Sequence, residues 1–557
     1  IVLALGERYG QHPAVAGWQI DNEFGCHDTT RCYCDACALA FRHWLQARYG
    51  SINALNDAWG TVFWSQSYSD WSEIKPPNQT VTEANPSHVL DYERFSSDAV
   101  IAYQQLQIDL LRETAPGKRI TTNMMGEFAD IDYHKLSHPL DFASWDSYPT
   151  GKAEMGAGEM YLLDEPRPAF AYDTGDPYAT GFCHDLTRGF KQAPFWVMEQ
   201  QCGNINWGRY NPGVRPGTTR LWTWHAVASG AEAVVYFRWR ATLFAQEQMH
   251  SGLLMHDASP ATGYYDVQGM QAEKDLLDAV SEQPFHAEAA ILVDYEDLWA
   301  LQLQPHRAGF TYWRELFTFY RAFQHMGVGV DLAPFDADLS RYRLIVAPVA
   351  FIMSAERSEK LRSAVENGAT LLLGVRAGFK TPSNKVVDQP LPGLLRDLAG
   401  VTVTDWHALP PCVEFPVESN YTSLEVSAGV WAEALRPLSS TDTCVLASYA
   451  TGPFEGKAAF TQKNRCRIQT CRCTPGYGCP RNARSRGIGS RWDRKREDFR
   501  RLVSPPAPAR GGGRDAEKPA PIRRSRRCSD GADGHSSSYA SFSKTARLRG
   551  WTVFSCP

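Results

Sequence analysis

Val15-Ala16-Gly17-Trp18-Gln19-Ile20 is an apolar run that ends in Asp21-Asn22-Glu23. The arrangement recurs downstream. Arg119-Ile120-Thr121-Thr122 ends in Asn123, Phe142-Ala143-Ser144-Trp145 in Asp146, Phe195-Trp196-Val197-Met198 in Glu199, and Ala233-Val234-Val235-Tyr236-Phe237 in Arg238. Short apolar runs separated by helix-length segments read as buried strands. Polar groups gathered at strand C-terminal ends mark a (β/α)8 TIM barrel, whose active site lies on that face. The expectation is therefore an α/β fold, with a catalytic barrel over residues 1–282. Five strands are visible where a closed barrel needs eight. The chain also starts without Met, in text that reads like the middle of a helix. The barrel is thus expected to be N-terminally incomplete, holding strands four to eight, and to fold poorly or stay inactive when expressed alone.

A second α/β pattern covers residues 283–462. Ala289-Ala290-Ile291-Leu292-Val293, Leu344-Ile345-Val346-Ala347-Pro348 and Ala369-Thr370-Leu371-Leu372-Leu373-Gly374 read as parallel strands, with helices over 311–327 and 355–367. This predicts a doubly wound domain. It contains no G-x-G-x-x-G and no nucleophile-like Cys/His pair, so its expected role is structural or in oligomerisation. From Lys463 the text turns basic and low in complexity, as in Pro505-Pro506-Ala507-Pro508-Ala509-Arg510-Gly511-Gly512-Gly513. A disordered RNA-binding tail is one reading of 463–557. The preferred one is a shifted reading frame, because the change is abrupt and falls inside a domain. The Cys466, Cys471, Cys473 and Cys479 cluster is discounted on that ground.

The charge follows this division. Residues 464–557 hold 22 Lys and Arg against 7 Asp and Glu, whereas the rest holds 35 against 55, so an acidic body precedes a basic tail. Of 14 cysteines, 6 lie in that tail. The remainder are too few for a disulfide scaffold of this size, which suits a reducing, cytoplasmic compartment. No run approaches the ~18 apolar residues that a transmembrane helix requires, and the first residues lack the basic region of a signal peptide. Neither a membrane nor a nucleic-acid partner is expected. The 17 Trp residues suit sugar stacking, although on composition alone a large aromatic core is the plainer reading.

Two of the strand ends carry glutamates, Glu23 and Glu199. Retaining glycoside hydrolysis needs two carboxyl groups about 5–5.5 Å apart, one as nucleophile and one as acid/base. Two barrel strands can aim such a pair across one pocket. Asn22, immediately before Glu23, places an amide where it can bind the sugar 2-OH. A lone strand-end Glu is ordinarily a surface ion pair; the Asn-Glu strand end combined with a second apolar-strand Glu points to glycosidase chemistry.

At these residues the chain resembles glycoside hydrolase family 42. The matching text is Gly17-Trp18-Gln19-Ile20-Asp21-Asn22-Glu23-Phe24-Gly25-Cys26-His27, Arg31-Cys32-Tyr33-Cys34, Ala58-Trp59-Gly60-Thr61-Val62-Phe63-Trp64-Ser65-Gln66, Asn85-Pro86-Ser87-His88, Ser144-Trp145-Asp146-Ser147-Tyr148-Pro149 and Met198-Glu199-Gln200. The resemblance runs from Ile1 to about Gln462. It implies a TIM barrel, a glutamine-amidotransferase-like trimerisation domain, a small C-terminal β domain that the tail does not resemble, and a homotrimer. It implies a retaining β-galactosidase acting on terminal β-galactose of small β-galactosides, with Glu199 as nucleophile and Glu23 as acid/base. Asn22 would bind the 2-OH, Trp207 would stack under the sugar, and Trp64 would line the pocket from the barrel or a neighbouring subunit. Tyr148 would hydrogen-bond the nucleophile, and Glu247 with His250 would hold the 4-OH and 6-OH region. A pocket Arg that the family places upstream has no counterpart here. Other readings are a retaining glycosidase of the same clan with arabinoside or fucoside preference, and an inactive carbohydrate-binding fragment.

Cys32-Tyr33-Cys34-Asp35-Ala36-Cys37 places three thiols at C-x-C-x-x-C spacing, which suits a tetrahedral thiolate zinc site. The resemblance implies a fourth Cys upstream, and Cys26 is the near substitute within the chain. All-thiolate ligation leaves no open position, so such a zinc would be structural, and catalysis would need no metal.

Overall fold

The structure is a computed structural model that describes residues 1–154, 160, 171–419, 426–464, 546–547 and 551–555. Of the low-complexity tail it describes only Lys463, Asn464 and these last two short stretches. The Cys466, Cys471, Cys473 and Cys479 cluster lies outside the described residues.

The five expected barrel strands are present and all parallel. β1 (Gly17–Gln19) pairs with β2 (Arg119–Thr121), which continues past Thr122 as β3 (Asn123–Met124). β3 pairs with β4 (Ser144–Ser147), β4 with β5 (Phe195–Gln201), and β5 with β6 (Ala231–Phe237). They form an open arc, in which β1 has β2 as its strand partner and β6 has β5. Ile20, Ile120, Met124, Trp145, Phe195 and Val197 are buried within it. Burial of each such side chain contributes on the order of 1.5–3 kcal/mol, so these apolar runs make the strands that the sequence predicts.

Between β1 and β2 lies a helical insertion: Asp35–Tyr49, Ile52–Trp59 and the long helix Pro86–Thr114. The Asn85-Pro86-Ser87 motif is the start of that long helix. The Asn85 side chain accepts from the Ser87 N–H at 2.9 Å, and Pro86 occupies the first turn, where its missing N–H costs nothing. The insertion has its own core of Phe41, Leu45, Leu55, Trp59, Tyr92 and Phe95.

The second region begins as a parallel sheet. β7 (Ala289–Val293), β8 (Val330–Pro334), β9 (Leu344–Ala347) and β10 (Thr370–Leu373) lie in the order β8-β7-β9-β10. Helices Tyr312–His325 and Ala355–Glu366 match the expected ones. Beyond it the strands are antiparallel, which the reading of this stretch as purely α/β did not contain. β11 (Val401–Ala408) pairs with β14 (Trp431–Pro437). β12 (Phe415–Ser419) lies between β13 (Val426–Ala428) and β15 (Thr443–Tyr449), and β15 pairs with β16 (Ala458–Asn464). Their apolar residues make a small separate core around Phe415, Tyr449 and Phe454. Near the C-terminus, β17 (Ala546–Arg547) runs beside β13, and β18 (Trp551–Ser555) pairs with both β10 and β16.

Barrel and α/β layers share one core. Phe182, on the barrel helix Pro177–Lys191, meets Trp313 edge-on at 6.1 Å and Tyr320 at 5.3 Å. Buried Arg188 on the same helix reaches Asp331 of β8 at 3.1 Å.

Candidate active site

The polar strand ends converge on one side chain, Asn123. Its Oδ1 accepts from the Glu23 backbone N–H at 3.1 Å and from Gln19 Nε2 at 3.0 Å. Its Nδ2 donates to Asp146 Oδ2 at 2.6 Å and to Asn22 Oδ1 at 3.0 Å, and lies 3.4 Å from Glu199 Oε1. The Glu23 backbone and the Glu199 carboxylate, far apart in sequence, thus meet at one amide, and the two carboxyls lie close enough to repel each other.

Local backbone irregularity aims both glutamates. Asp21 and Glu23 have φ of 47° and 44°, a left-handed conformation that costs on the order of 1–3 kcal/mol at a non-glycine residue. The surroundings hold it: Gln107 Nε2 donates to Asp21 Oδ2 at 2.6 Å, and Asn123 takes the Glu23 N–H. On β5 the register slips, with Trp145 opposite Val197 but Asp146 opposite Glu199. The extra residue, Met198, makes a bulge that re-aims Glu199. Buried Gln201 then ties the strand end to the helix that follows β4, donating to Thr150 Oγ1 at 2.7 Å and accepting from Thr150 N at 3.1 Å. That helix, Pro149–Glu154, follows Tyr148 directly, and the Tyr148 hydroxyl donates to Glu199 Oε2 at 2.6 Å.

Charge is crowded here. Burial pushes the Asp146 carboxyl well above the usual range, with Glu199 and then Glu23 adding repulsion. Burial also raises Glu199; the Tyr148 hydroxyl opposes this, while Glu23 and Glu247 reinforce it. Like charges this close disfavour one another's ionised forms. Tyr148 is held protonated by burial and by Glu199.

Trp207 stands edge-to-face with Tyr148 at 5.6 Å and is 44% exposed, so its ring is available to a ligand. It lies directly over Gly151, where a Cβ would fall 2.1 Å from Trp207 Cη2. His250 is buried, edge-on to Tyr148 at 5.7 Å and to Phe237 at 5.2 Å. Burial lowers its pKa, so the ring is neutral. With Nδ1 3.0 Å from the Ser251 carbonyl oxygen, the proton belongs on Nδ1, leaving Nε2 as an acceptor without a protein partner. Glu247 is held by Arg238, through Nη1 to Oε2 at 2.9 Å and Nη2 to its carbonyl at 2.7 Å. Trp64 is placed differently from the rest: it is 63% exposed, and its aromatic contact is with Phe63 at 5.1 Å. Sequence reasoning assigned no role to Gln19, Asn123 or Asp146. The position of Asn123 and Asp146 at strand ends was the one available signal.

The thiols of Cys32, Cys34 and Cys37 lie within 4.8 Å of one another. Zinc–sulfur bonds of about 2.3 Å to one ion place sulfurs at such spacing, so the three residues fit a thiolate-bound metal. Cys34 caps the helix Asp35–Tyr49, and hydrogen bonds led by the Cys37 backbone N–H bring its pKa down to about 7. Burial pushes Cys37 up to about 12. Cys26 does not join them: among the described residues the group contains these three alone, and Cys26 sits beside Glu23, its N–H on the Glu23 carbonyl at 2.9 Å. The peptide after β1 turns it toward the carboxylates rather than the thiols.

The family model for β-galactosidases of glycoside hydrolase family 42 matches residues 1–277, and the model for the β-galactosidase trimerisation domain matches residues 287–467. The chain belongs to glycoside hydrolase family 42. Among similar proteins, the β-galactosidase BgaA of Thermus sp is 46% identical over 433 residues, 78% of this chain and 65% of that protein. A β-galactosidase of Thermus thermophilus is 47% identical over 412 residues, 74% and 62% of the two chains. BgaH of Haloferax lucentense is 42% identical over 478 residues, 86% and 70%. The chain thus spans slightly less than two thirds of the Thermus proteins. The solved structure of the Halorubrum lacusprofundi β-galactosidase superposes with a TM-score of 0.78 at 43% identity, covering 82% of this chain and 67% of that one. The Marinomonas ef1 β-galactosidase gives 0.76 at 40% identity, covering 80% and 68%. As a family 42 chain, the molecule combines TIM-barrel strands with the family's trimerisation domain. No helix among the described residues is long and apolar enough to cross a membrane.

Proposed function

We propose that the chain carries the catalytic pair of a retaining β-galactosidase that removes terminal β-D-galactose from small β-galactosides. The observation behind this reading is the meeting of Glu23 and Glu199 at Asn123, with Tyr148 hydrogen-bonded to Glu199. Glu199 attacks the anomeric carbon as Glu23 protonates the departing glycosidic oxygen, giving a galactosyl ester on Glu199 and a free alcohol. Glu23, now ionised, takes a proton from water, whose oxygen attacks the same carbon. The ester bond breaks, galactose leaves with its anomeric configuration retained, and both glutamates return to their starting states. Tyr148 keeps charge on Glu199 before attack. Asn22 binds the 2-OH, Trp207 stacks under the ring, and His250 with Glu247 takes the distal hydroxyls, His250 accepting through Nε2. Trp64, exposed on its turn, suits a pocket wall closed by a neighbouring subunit.

Cys32, Cys34 and Cys37 bind a structural zinc that takes no part in the reaction. The trimerisation-domain match supports a homotrimer, which the mass in solution tests. The eight free body cysteines support a reducing, cytoplasmic compartment.

The test of function is hydrolysis of aryl β-galactosides by the chain, and by the chain extended upstream with the corresponding segment of a Thermus relative. Glu199→Ala and Glu23→Ala each lose roughly 10³-fold or more. Azide restores Glu199→Ala and yields the α-galactosyl azide. Full activity in either variant overturns the assignment. A better rate on arabinosides or fucosides than on galactosides overturns the substrate.

A further inference from the structure

Asn22 is exposed, and nothing about its position alone says which end of its amide meets a ligand. Its neighbours do. Asn22 Oδ1 accepts from Asn123 Nδ2 at 3.0 Å and lies 3.4 Å from Gln19 Nε2. Both neighbours are donors, so the oxygen faces inward and the amino group outward.

The orientation of Asn123 is itself fixed. Turned end over end, its oxygen would face Asp146 Oδ2, Asn22 Oδ1 and Glu199 Oε1, all acceptors. Its amino group would face the Glu23 N–H and Gln19 Nε2, both donors. Every contact opposes the flip. Asn123 is 1% exposed and Asp146 6%, so no water relieves the mismatch. Asp146 gives the shortest of these contacts, 2.6 Å, and anchors the amino end.

We propose that Gln19, Asn123 and Asp146 form a positioning network that holds Asn22 with its amino group toward the sugar, so that the hydroxyl next to the anomeric carbon is bound as an acceptor. That hydroxyl keeps its own proton to donate, and Glu199 is the acceptor within the cluster. The network also holds the Glu23 backbone, so one buried amide places the acid/base residue and the 2-OH donor together. This inference rests on the proposed galactosidase reading.

The experiment compares kcat/KM on an aryl β-galactoside and on its 2-deoxy analogue. Asn123→Leu and Asp146→Leu remove the hub and its anchor. Asp146→Asn can still offer an oxygen to Asn123. The two Leu variants lose about 100-fold on the galactoside, the scale of one lost transition-state hydrogen-bond donor. On the 2-deoxy substrate, which has no hydroxyl to lose, they lose at least about tenfold less, the remaining loss being the cost of releasing the Glu23 backbone. Asp146→Asn recovers most of the galactoside rate. Asn22→Ala combined with Asp146→Leu loses much less than the product of the two single losses, because both act on the contact that Asn22 makes. Equal losses on both substrates overturn the network as an orienting device and leave a structural role. Should Asn123→Leu fail to fold, Asp146→Leu carries the same comparison. The measurements are made on the chain and on its upstream-extended form. If neither turns over a galactoside, the functional reading fails and the inference with it.

Discussion

A single hydrogen bond decides how Glu199 can serve as a nucleophile. Burial and the neighbouring carboxylates push its pKa up, toward the protonated form that cannot attack. The Tyr148 hydroxyl, 2.6 Å from Oε2, is the contribution that opposes this. In Tyr148→Phe the opposing donor is gone, so the Glu199 pKa rises. Ionised Glu199 is required, so the acid limb of kcat/KM moves to higher pH. The shift expected is roughly one pH unit, since a hydrogen bond to a charged group is worth about 1.5–3 kcal/mol and a unit corresponds to about 1.4. An acid limb that stays in place while kcat falls would assign Tyr148 to substrate contact alone. The glutamates were legible in sequence because an apolar run ending in Asn-Glu or Glu is a local pattern. Asn123 and Asp146 were not legible as partners. A strand-end Asn means nothing until three other chain segments are brought around it, and that proximity is a property of the folded arc.

At the scale of elements, each functional side chain depends on a backbone device beneath it. The β5 bulge at Met198 aims Glu199, and the helix Pro149–Glu154 supports Trp207 through a bare glycine. Gly151→Ala would drive a methyl into the Trp207 ring at 2.1 Å. The indole must move, while Tyr148 and Glu199 keep their places. KM is expected to rise roughly tenfold, the scale of a stacking contact of about 1.4 kcal/mol, with a smaller change in kcat. An unchanged KM would mean that the indole is not the sugar platform. The thiol loop is the second such element. Tyr92 of the long helix donates to the Cys32 carbonyl at 2.6 Å, and its ring stacks on Tyr33 at 5.3 Å, so a metal there would brace the insertion. Chelator treatment, or Cys34→Ser, is expected to release about one zinc per chain and lower Tm by several degrees. The galactosidase rate of the protein that remains folded should be unchanged. No zinc in the purified protein would remove the site. The loop's spacing was readable in sequence. That Cys26 would turn away to Glu23 was not, because a one-residue change in a left-handed turn reverses a side chain's direction.

The whole molecule is organised by the junction between barrel and α/β layers, and Arg188 is its most concentrated point. Its guanidinium is buried and pairs with Asp185 of its own helix and, at 3.1 Å, with Asp331 of β8. It also donates to the Ser229 carbonyl at 2.6 Å and to the Val330 carbonyl at 3.2 Å, and stacks over Phe285 at 3.6 Å. The sequence announced both layers through their parallel strands, but not the antiparallel β11–β16 region, where apolar residues alternate with polar ones, as in Val401-Thr402-Val403-Thr404, and make no continuous apolar run. Nor did it announce this junction, since one arginine in a helix carries no sign of its partner about 140 residues on. Replacing Arg188 by Met keeps the stem's apolar contacts and removes the charge, leaving Asp185 and Asp331 less compensated in a buried place. Breaking a buried pair from one side costs about 3–5 kcal/mol. Asp331 keeps Arg341 at 2.8 Å and Tyr342 at 2.9 Å, and Asp185 keeps Tyr320 at 2.7 Å, which places the expected loss toward the lower end. Denaturant unfolding should therefore show a lower midpoint for Arg188→Met. If the layers unfold as one unit, barrel and α/β tryptophans lose their native signal together in both proteins. Should the variant unfold in two steps while the parent unfolds in one, Arg188 is the contact that couples the layers. A midpoint equal to the parent's would mean that the apolar contacts of Phe182 with Trp313 and Tyr320 hold the junction without it.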